Sequence, residues 1–326
     1  MMLTIGSLFS GIGGLERGLE LAGLGPVKWQ AESDPFARAV LARHWPAARR
    51  WEDVRDVDAG AEQVDVVCGG FPCQDVSLAG TGAGLAGARS GLWTELLRVA
   101  RLVGCRYLVV ENVAALLARG MGEVLGALAE GGFDAAWDCV PAAAVGAPHR
   151  RDRVLLVAWR VPDALGDPVR ELAERGHGAA RAADPRDAEP RHVGANARHI
   201  DAEAEVAKRV GDVLADPDRW RREVERIANR QSGDEGAPWR VVDGRRLPLW
   251  PPGSDDIDGW IRVPAAAQPA LRGVADGAAR RLDAAERAQR LKALGNAVVP
   301  AVAEVVGRLI VAAEEERLCA LEELSR

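Results

Sequence analysis

The sequence predicts an α/β fold built on a doubly wound, mostly parallel β-sheet, with a second, smaller domain. Through residues 1–160, short apolar runs alternate with amphipathic segments, which is the pattern of repeated β-α units. Two runs, at 64–68 and 107–110, are almost wholly apolar, as expected for strands covered on both faces. The glycine-rich segment 10–14 joins the first strand to the first helix. Ligands in such sheets bind at the carboxyl ends of the strands, so we expect the functional residues there.

The first two β-α units are predicted in detail. Residues 3–9 form a strand, and the helix after it has apolar residues at helical spacing: Leu15, Leu19 and Ala22. Residues 27–32 form the second strand. Asp34 and Pro35 then open the next helix as its N-cap and first-turn proline.

Further elements follow along the chain. A helix at 92–102 separates the two buried strands, and residues 154–159 form the last clear strand. A turn at 295–296 precedes a long apolar helix that starts near Pro300. We expect the acidic run of this helix, at 314–316, to face water.

Composition divides the chain further. Residues 161–288 differ from the preceding part, because the stretch 163–200 is rich in Ala, Arg, Asp, Gly and Pro, has little periodicity and is expected to be partly disordered. Trp220 and Trp250 lie among many arginines, and we expect both side chains to form a small core rather than to stack on bases. Residues 289–326 form a final helical segment.

Bulk composition excludes several protein classes. The 326 residues carry a formal charge of −6, so any nucleic-acid contact must come from local arrangement. No apolar run reaches the roughly 18 residues of a membrane span. Residues 1–4 lack the features of a secretory leader, and we expect a cytoplasmic protein. The five cysteines form no C-x-x-C pair, which argues against a disulfide framework and a metal site.

Cys73 lies in the segment GGFPCQDVS, directly after a predicted buried strand. A thiol at this edge of the sheet is either a small buried apolar residue or a nucleophile. Pro72 stiffens the backbone before it, and Gly69 and Gly70 permit close approach of a ligand. Since only a few per cent of a free thiol is ionised at neutral pH, a nucleophilic role would require a lowered thiol pKa.

Glu111 follows the second buried strand, at the same predicted edge. A partly desolvated carboxyl there would have a raised pKa and could hold a proton at neutral pH. The alternative is an ordinary loop or helix-capping carboxylate.

Two acidic residues accompany the glycine-rich segment. Glycines at 10–14 allow the backbone and a helix N-terminus to approach a nucleotide-like ligand. Glu32 ends the second strand, where an acidic side chain can bind ribose hydroxyls. Asp53 is placed to meet an adenine amino group. Together these residues indicate an adenosine-containing ligand.

These motifs resemble those of the DNA (cytosine-5) methyltransferase family, of the bacterial or phage type. Five segments match in order: LFSGIGG at 8–14, GGFPCQDVS at 69–77, ENV at 111–113, HRRDRV at 149–154 and LKALGNAVVP at 291–300. The resemblance covers residues 1–160 and 288–318. Two positions depart from the family pattern: His149 stands where Gln is usual, and Ser33 where an aromatic residue is frequent.

The resemblance implies a covalent catalytic mechanism. Cys73 would attack C6 of a cytosine, which makes C5 nucleophilic toward the methyl group of S-adenosylmethionine. Glu111 would hydrogen-bond N3 and the exocyclic amine. Arg151 and Arg153 would hold the base and a neighbouring phosphate; their structural alternative is surface charge flanking an edge strand. Because the target atom is hidden in a stacked duplex, the base must be flipped out.

The resemblance also implies a Rossmann-like S-adenosylmethionine-dependent fold and its cofactor site. Phe9 would lie near the adenine ring, Glu32 would bind the ribose, and Asp53 would meet the adenine. The full implied set is drawn from the strand ends and the closing segment: Phe9, Gly11, Gly13, Glu32, Asp53, Pro72, Leu92 and Asn296. Residues 161–288 would be the target-recognition region, and 289–326 would return to the catalytic domain of 1–160.

The implied substrate is a specific site in double-stranded DNA. We expect a monomeric modification enzyme, related by function rather than by contact to a restriction endonuclease. The glycine-rich stretch 80–91 would fold over the flipped base, or form an ordinary surface loop. The alternatives are an RNA cytosine-5 methyltransferase of the same fold, a non-catalytic DNA- or cofactor-binding protein and a thiol redox protein. Gln74 favours DNA, and the intact Cys73 and Glu111 favour catalysis.

Overall fold

The computed structural model describes residues 2–72, 91–147, 149–161, 193–232, 239–242, 245–248, 289, 292–293 and 296–324. The main sheet has seven strands, namely β1 (Ile5–Leu8), β2 (Val27–Ala31), β3 (Arg49–Trp51), β4 (Val66–Gly69), β5 (Tyr107–Val113), β6 (Phe133–Pro141) and β7 (Asp152–Arg160). A separate antiparallel pair consists of β8 (Trp239–Val242) and β9 (Arg245–Pro248). The helices are α1 (Gly14–Leu21), α2 (Pro35–His44), α3 (Gly91–Leu102), α4 (Met121–Glu130), α5 (Val193–Leu214), α6 (Pro217–Ser232) and α7 (Pro300–Leu324).

The strand order in the main sheet is β3-β2-β1-β4-β5-β7-β6. Neighbouring strands from β3 to β5 are parallel, whereas β7 runs antiparallel to both β5 and β6. The predicted α/β class with a mostly parallel sheet is therefore confirmed. Each predicted element of the first part is present with ends shifted by a few residues, while β3, β6 and α4 were not predicted.

The end of β5 differs from the prediction. This strand was expected to stop at Val110, with Glu111 beyond it, but it continues to Val113 because β7 pairs with it along its whole length, up to Val113 opposite Arg153. The parallel partner β4 ends at Gly69, opposite Val110. From Glu111 onward, β5 is thus paired on one side and open on the other.

Two apolar cores cover the faces of the sheet, as alternating side chains require. One core packs α1, α5, α6 and α7 against side chains such as Ile5 and Val109. The other packs α3 and α4 against side chains such as Leu108 and Val110. Cys68 and Cys105 are fully buried in these cores, where they pack as small apolar residues; burial raises the pKa of Cys105 to about 12.

The N-terminal cap of α2 and the start of α7 agree with the prediction. The Asp34 carboxylate accepts hydrogen bonds from the backbone N–H groups of Phe36 and Ala37, at 2.9 and 3.3 Å. Pro35 occupies the first turn of α2, and α7 begins at Pro300. Within the described ranges, no helix combines the length and apolar character that crossing a bilayer requires.

Helices α5 and α6 share the core of the sheet. Trp220 of α6 is 3% exposed, and its indole N–H donates to the Leu214 carbonyl at 2.7 Å, which confirms the expected core role. Trp250 lies outside the described residues. Helix α5 begins at Val193, inside the stretch expected to have little periodicity, and the boundary at 160/161 stays a prediction.

The acidic run in α7 was expected to face water, and for Glu314 this is wrong. Its side chain is buried and lies 2.6 Å from Arg106 and 2.7 Å from Arg317. The Tyr107 hydroxyl donates to the same carboxylate at 3.0 Å. The neighbouring Glu315 is exposed. The run faces both environments because successive residues on a helix point in directions about 100° apart.

Candidate functional site

A cavity of about 560 Å³ opens at the carboxyl edge of the parallel strands. It is lined by most of the site residues predicted from the sequence: Phe9, Gly11, Glu32, Asp53, Pro72, Leu92, Glu111, Arg153 and Asn296. These residues come from six strand ends or loops, from α3 and from the segment before α7. The topology therefore gathers into one cavity positions that are up to 287 residues apart, Phe9 and Asn296.

The β1–α1 loop and Glu32 form one end of the cavity. Both Phe9 and Gly11 have left-handed backbone conformations, with φ of 54° and 55°. The Gly11 N–H donates to Oε2 of Glu32 at 2.7 Å, and the Asp34 N–H donates to Oε1 at 2.7 Å. Each carboxylate oxygen still has a free lone pair, so the fixed Glu32 side chain can accept hydrogen bonds from a diol.

Asp53 lies beyond Glu32 along the same wall. Its carboxylate caps a 3₁₀ turn, Val54–Asp56, by accepting the Arg55 N–H at 2.9 Å. The guanidinium of Arg55 lies 3.0 Å from the other oxygen, and both side chains are largely exposed. Asp53 thus lines the cavity from a capped turn.

Glu111 forms the opposite end, close to β7. Glu111 is 9% exposed, and its Oε1 lies 2.7 Å from Nε of Arg153. Burial raises the pKa of Glu111, although the positive charges of Arg153 and Arg151 oppose that shift. A methyl group added at Gly70 would lie only 2.7 Å from Oε2, so Gly70 is the residue that leaves room for this carboxyl. The Glu111 carboxyl is therefore buried beside the segment that follows β4.

The segment after β4 lines the same cavity as Glu111. The side-chain amide of Asn112 donates to the Phe71 carbonyl at 3.3 Å, which ties this segment to β5. Pro72 lines the cavity. Cys73 lies outside the described part of the chain, as do all residues from 74 to 90. The described part resumes at Gly91, the first residue of α3. The structure thus brings Glu111 together with the residue immediately before Cys73.

Gly13 and Arg151 do not line this cavity. They lie in a neighbouring one of about 730 Å³. Gly13 has φ of 88°, and a methyl group there would lie 2.3 Å from the Trp45 ring. Arg151 donates from Nη2 to the Ala297 carbonyl at 2.6 Å. The predicted roles of these two residues stay predictions; the structure places both beside the 560 Å³ cavity rather than in it.

Some residues that shape the cavity were missed from the sequence. Arg38 of α2 donates to the carbonyls of Glu32 and Ser33, at 2.9 and 2.8 Å. It also lies 3.2 Å from Glu52. Lys292 lines the cavity and lies 3.2 Å from Asp34, across 258 residues of chain. No local sequence pattern indicates either contact, because Arg38 bonds backbone carbonyls of the β2–α2 connection and Lys292 pairs with a residue far away in the chain.

The donors and acceptors in the cavity fit the adenosine part of S-adenosylmethionine. Carboxylates of Glu32 and Asp53 suit the hydroxyl and amino groups of an adenosine, and apolar surface from Phe9 and Leu92 suits its ring. Among the described residues, no group of three His, Cys, Asp or Glu side chains gathers as metal ligands do. The cavity therefore has the chemistry of a nucleoside site.

Comparison with known proteins agrees with this assignment. Type II methyltransferase M2.BsuMI of Bacillus subtilis (strain 168) is 35% identical over 164 residues, which are 48% of this chain and 42% of that protein. Type II methyltransferase M.Eco47II of Escherichia coli is 34% identical over 165 residues, 48% of this chain and 39% of that one. The chain therefore matches less than half the length of these two relatives.

Among solved structures, the methyltransferase EhMeth of Entamoeba histolytica is 15% identical, with a TM-score of 0.43, over 50% of this chain and 54% of that one. The model of the family described as C-5 cytosine-specific DNA methylase matches residues 3–232. This match confirms the predicted family, its fold class and S-adenosylmethionine as its cofactor. Because the match extends over more than half of the 326 residues, the chain belongs to the C-5 cytosine-specific DNA methylase family.

Proposed function

We propose that the protein methylates C5 of cytosine in double-stranded DNA, with Cys73 as the nucleophile. One observation supports this proposal most directly. The Glu111 carboxyl and Pro72, the residue before Cys73, line one cavity together with the predicted cofactor residues. A base held against Glu111 would therefore lie next to both the thiol-bearing segment and the cofactor site.

Glu111 is suited to act on the base as an acid. Because burial raises its pKa, the neutral form is more accessible than for an exposed glutamate. A protonated carboxyl can donate to N3 of cytosine, while its carbonyl oxygen accepts from the exocyclic amine. Both contacts withdraw electrons from C6 and favour the addition of a nucleophile there.

Arg153 orients this acid. It lies 2.7 Å from Glu111, and its Nη1 donates to the Asp152 carbonyl at 2.8 Å, so the guanidinium is held at both ends. The side chain of Arg153 is 19% exposed, which limits competition from water. We propose that Arg153 holds Glu111 and the adjacent cytosine, and that Arg151 contacts a neighbouring phosphate.

The chemistry at the base then follows from these groups. The Cys73 thiolate adds to C6, and the ring electrons shift toward C5. S-adenosylmethionine, when bound, supplies the electrophilic methyl group that C5 accepts. A proton acceptor then removes the proton from C5, and the C6–S bond breaks, which regenerates the Cys73 thiolate. Since C5 lies within the stack of a duplex, the cytosine is flipped into the cavity before the reaction, which costs a few kcal/mol.

We further propose the biological setting. Residues 1–160 and 289–326 form the catalytic and cofactor-binding part, and 161–288 form the target-recognition region. The protein acts as a cytoplasmic monomer that modifies DNA and protects it from a restriction endonuclease with which it need not associate. The type II methyltransferase relatives support this setting.

The test measures transfer of tritiated methyl groups from S-adenosylmethionine to unmethylated duplex DNA and to tRNA. We expect methylated duplex DNA, unlabelled tRNA and no transfer by Cys73→Ala, whose affinity for S-adenosylmethionine stays close to that of the unaltered protein. Transfer to tRNA alone would replace the DNA substrate with RNA. Transfer at the normal rate by Cys73→Ala would show that another residue is the nucleophile.

A further inference from the structure

A polar cluster lies buried beneath the β1–α1 loop, and the mechanism above does not use it. Its members come from β1, the loop itself, the first turn of α1, and β2: Ser7, Ser10, Glu16 and Gln30. Glu16, Gln30 and Ser7 are fully buried, and Ser10 is 9% exposed. Burying a carboxyl is costly unless it is paired or uncharged, so the retention of Glu16 there requires a physical reason.

Hydrogen bonds join the members of the cluster in two pairs. The Gln30 amide donates to Oε1 of Glu16 at 3.3 Å, and the Ser10 hydroxyl donates to that of Ser7 at 2.9 Å. Oε2 of Glu16 and Oε1 of Gln30 are buried without a hydrogen-bond partner. An ionised carboxylate would add to this excess of acceptors, whereas a protonated one supplies a donor.

The surroundings also favour the uncharged form. In the described part of the chain, Glu16 makes no ion pair, and the titratable group that faces it is the buried thiol of Cys68 in β4. Burial raises the pKa of Glu16, and the hydroxyls of Ser7 and Ser10 and the Gln30 amide only partly oppose this effect.

Ser10 connects this cluster to the cofactor cavity. Its neighbours Phe9 and Gly11 line the cavity, and both have left-handed backbone conformations. The Ser10 carbonyl accepts the Gly13 N–H at 2.9 Å, and the Ser10 N–H donates to the Ala31 carbonyl at 3.3 Å. The inward side chain of Ser10 thus fixes the turn whose other residues face the ligand.

We infer that Glu16 is a positioning residue for the S-adenosylmethionine site, whose carboxyl accepts from Gln30 and lies against Ser7 and Ser10 beneath the β1–α1 loop. This inference rests on the proposed function, because it takes S-adenosylmethionine as the ligand of the loop. An uncharged carboxyl and a carboxamide have nearly the same shape and can both donate and accept. A glutamine at this position therefore preserves the support, whereas an alanine removes it.

The test compares Glu16→Gln and Glu16→Ala by calorimetric titration with S-adenosylmethionine at pH 7. We expect Glu16→Gln to bind within twofold of the unaltered protein, and Glu16→Ala to bind more weakly by on the order of tenfold, the loss expected for a disrupted buried hydrogen-bond cluster. The matched control is Glu20→Gln, on the same helix, because Glu20 accepts the Trp45 indole N–H at 2.7 Å outside the cluster. Its affinity should be unchanged.

Thermal unfolding without cofactor provides the second readout. A raised pKa in the folded state means that Glu16 contributes stability at low pH that is lost as pH rises through the folded pKa. The melting temperature of Glu16→Gln should therefore decline less between pH 5 and 9 than that of the unaltered protein, and Glu20→Gln should follow the unaltered protein. Equal weakening by Gln and Ala, or unaltered affinity in a folded Glu16→Ala, would overturn the inference. Failure of the unaltered protein itself to bind S-adenosylmethionine would overturn the proposed function as well.

Discussion

Replacing Gly70 by alanine would place a methyl group against the Glu111 carboxyl. The added carbon would lie 2.7 Å from Oε2, about 0.7 Å closer than the 3.4 Å at which ordinary contacts begin. The backbone at Gly70 lies outside the left-handed region, so alanine can adopt it without strain. The change therefore acts through one steric contact with the proposed acid.

The expected effect on catalysis exceeds the effect on stability. The atom that must move is the tip of a side chain, so overpacking should cost about 1 kcal/mol, at the low end of its usual range. That movement would disturb the 2.7 Å contact between Glu111 and Arg153 and displace the acid from the base. Misplacement of a catalytic group by roughly 1 Å can lower the rate about 100-fold. We expect kcat to fall by that order.

The assay is the initial rate of tritiated methyl transfer to unmethylated DNA, with thermal denaturation measured in parallel. Gly126→Ala in α4 is the matched control, because a methyl group there meets nothing within 4 Å. It should leave the rate unchanged and stabilise the helix by up to about 1 kcal/mol. The reasoning is refuted if Gly70→Ala transfers methyl groups within twofold of the normal rate, or if it loses activity only by unfolding.

Other expected outcomes concern the nucleophile, the cofactor wall and the closing helix. DNA carrying 5-fluorocytosine at the recognised site should form a stable adduct through Cys73, seen as a band shift that resists denaturation; an active enzyme without an adduct would contradict the covalent route. Glu32→Ala should weaken S-adenosylmethionine binding at least tenfold by removing a charge-assisted hydrogen bond, and unchanged affinity in titration calorimetry would exclude the ribose role. Burial alone would raise the pKa of Glu314, but its hydrogen bonds and the charge of Arg106 lower the pKa overall. The stability that Glu314 contributes is therefore present above the ordinary pKa of about 4.3, and it disappears as pH falls through the pKa of the folded protein. Glu314→Gln should thus cost about 3 kcal/mol at pH 7 in chemical denaturation and less in acid, with exposed Glu315→Gln as the unaffected control.

Much of the site was predictable because its residue types follow strand ends. Glu32 comes after an apolar run, and in a parallel sheet that position is an edge where ligands bind. Cys73 and Glu111 were identified by their motifs. The order of these motifs along the chain indicated the family, although it says nothing about the distances between the side chains.

The distances depend on pairings between distant segments. Arg153 reaches Glu111 because β7 enters the sheet antiparallel between β5 and β6, and no local pattern specifies that partner or direction. Gly13 and Glu32 illustrate the same limit, since both were assigned to one ligand but line two different cavities.

By itself, the sequence determined the alternation of strands and helices, the N-cap of α2, the start of α7 and the identities of the reactive groups. These features depend on periodicity, caps and motifs that lie within a few residues of one another. Only the tertiary structure decided that Glu314 and Glu16 are buried, and that Glu111 lies in the open half of a strand. Burial and strand pairing are set by segments far apart in the chain, so the same carboxyl group becomes a solvated charge, an ion-pair partner or a neutral acid according to what packs against it.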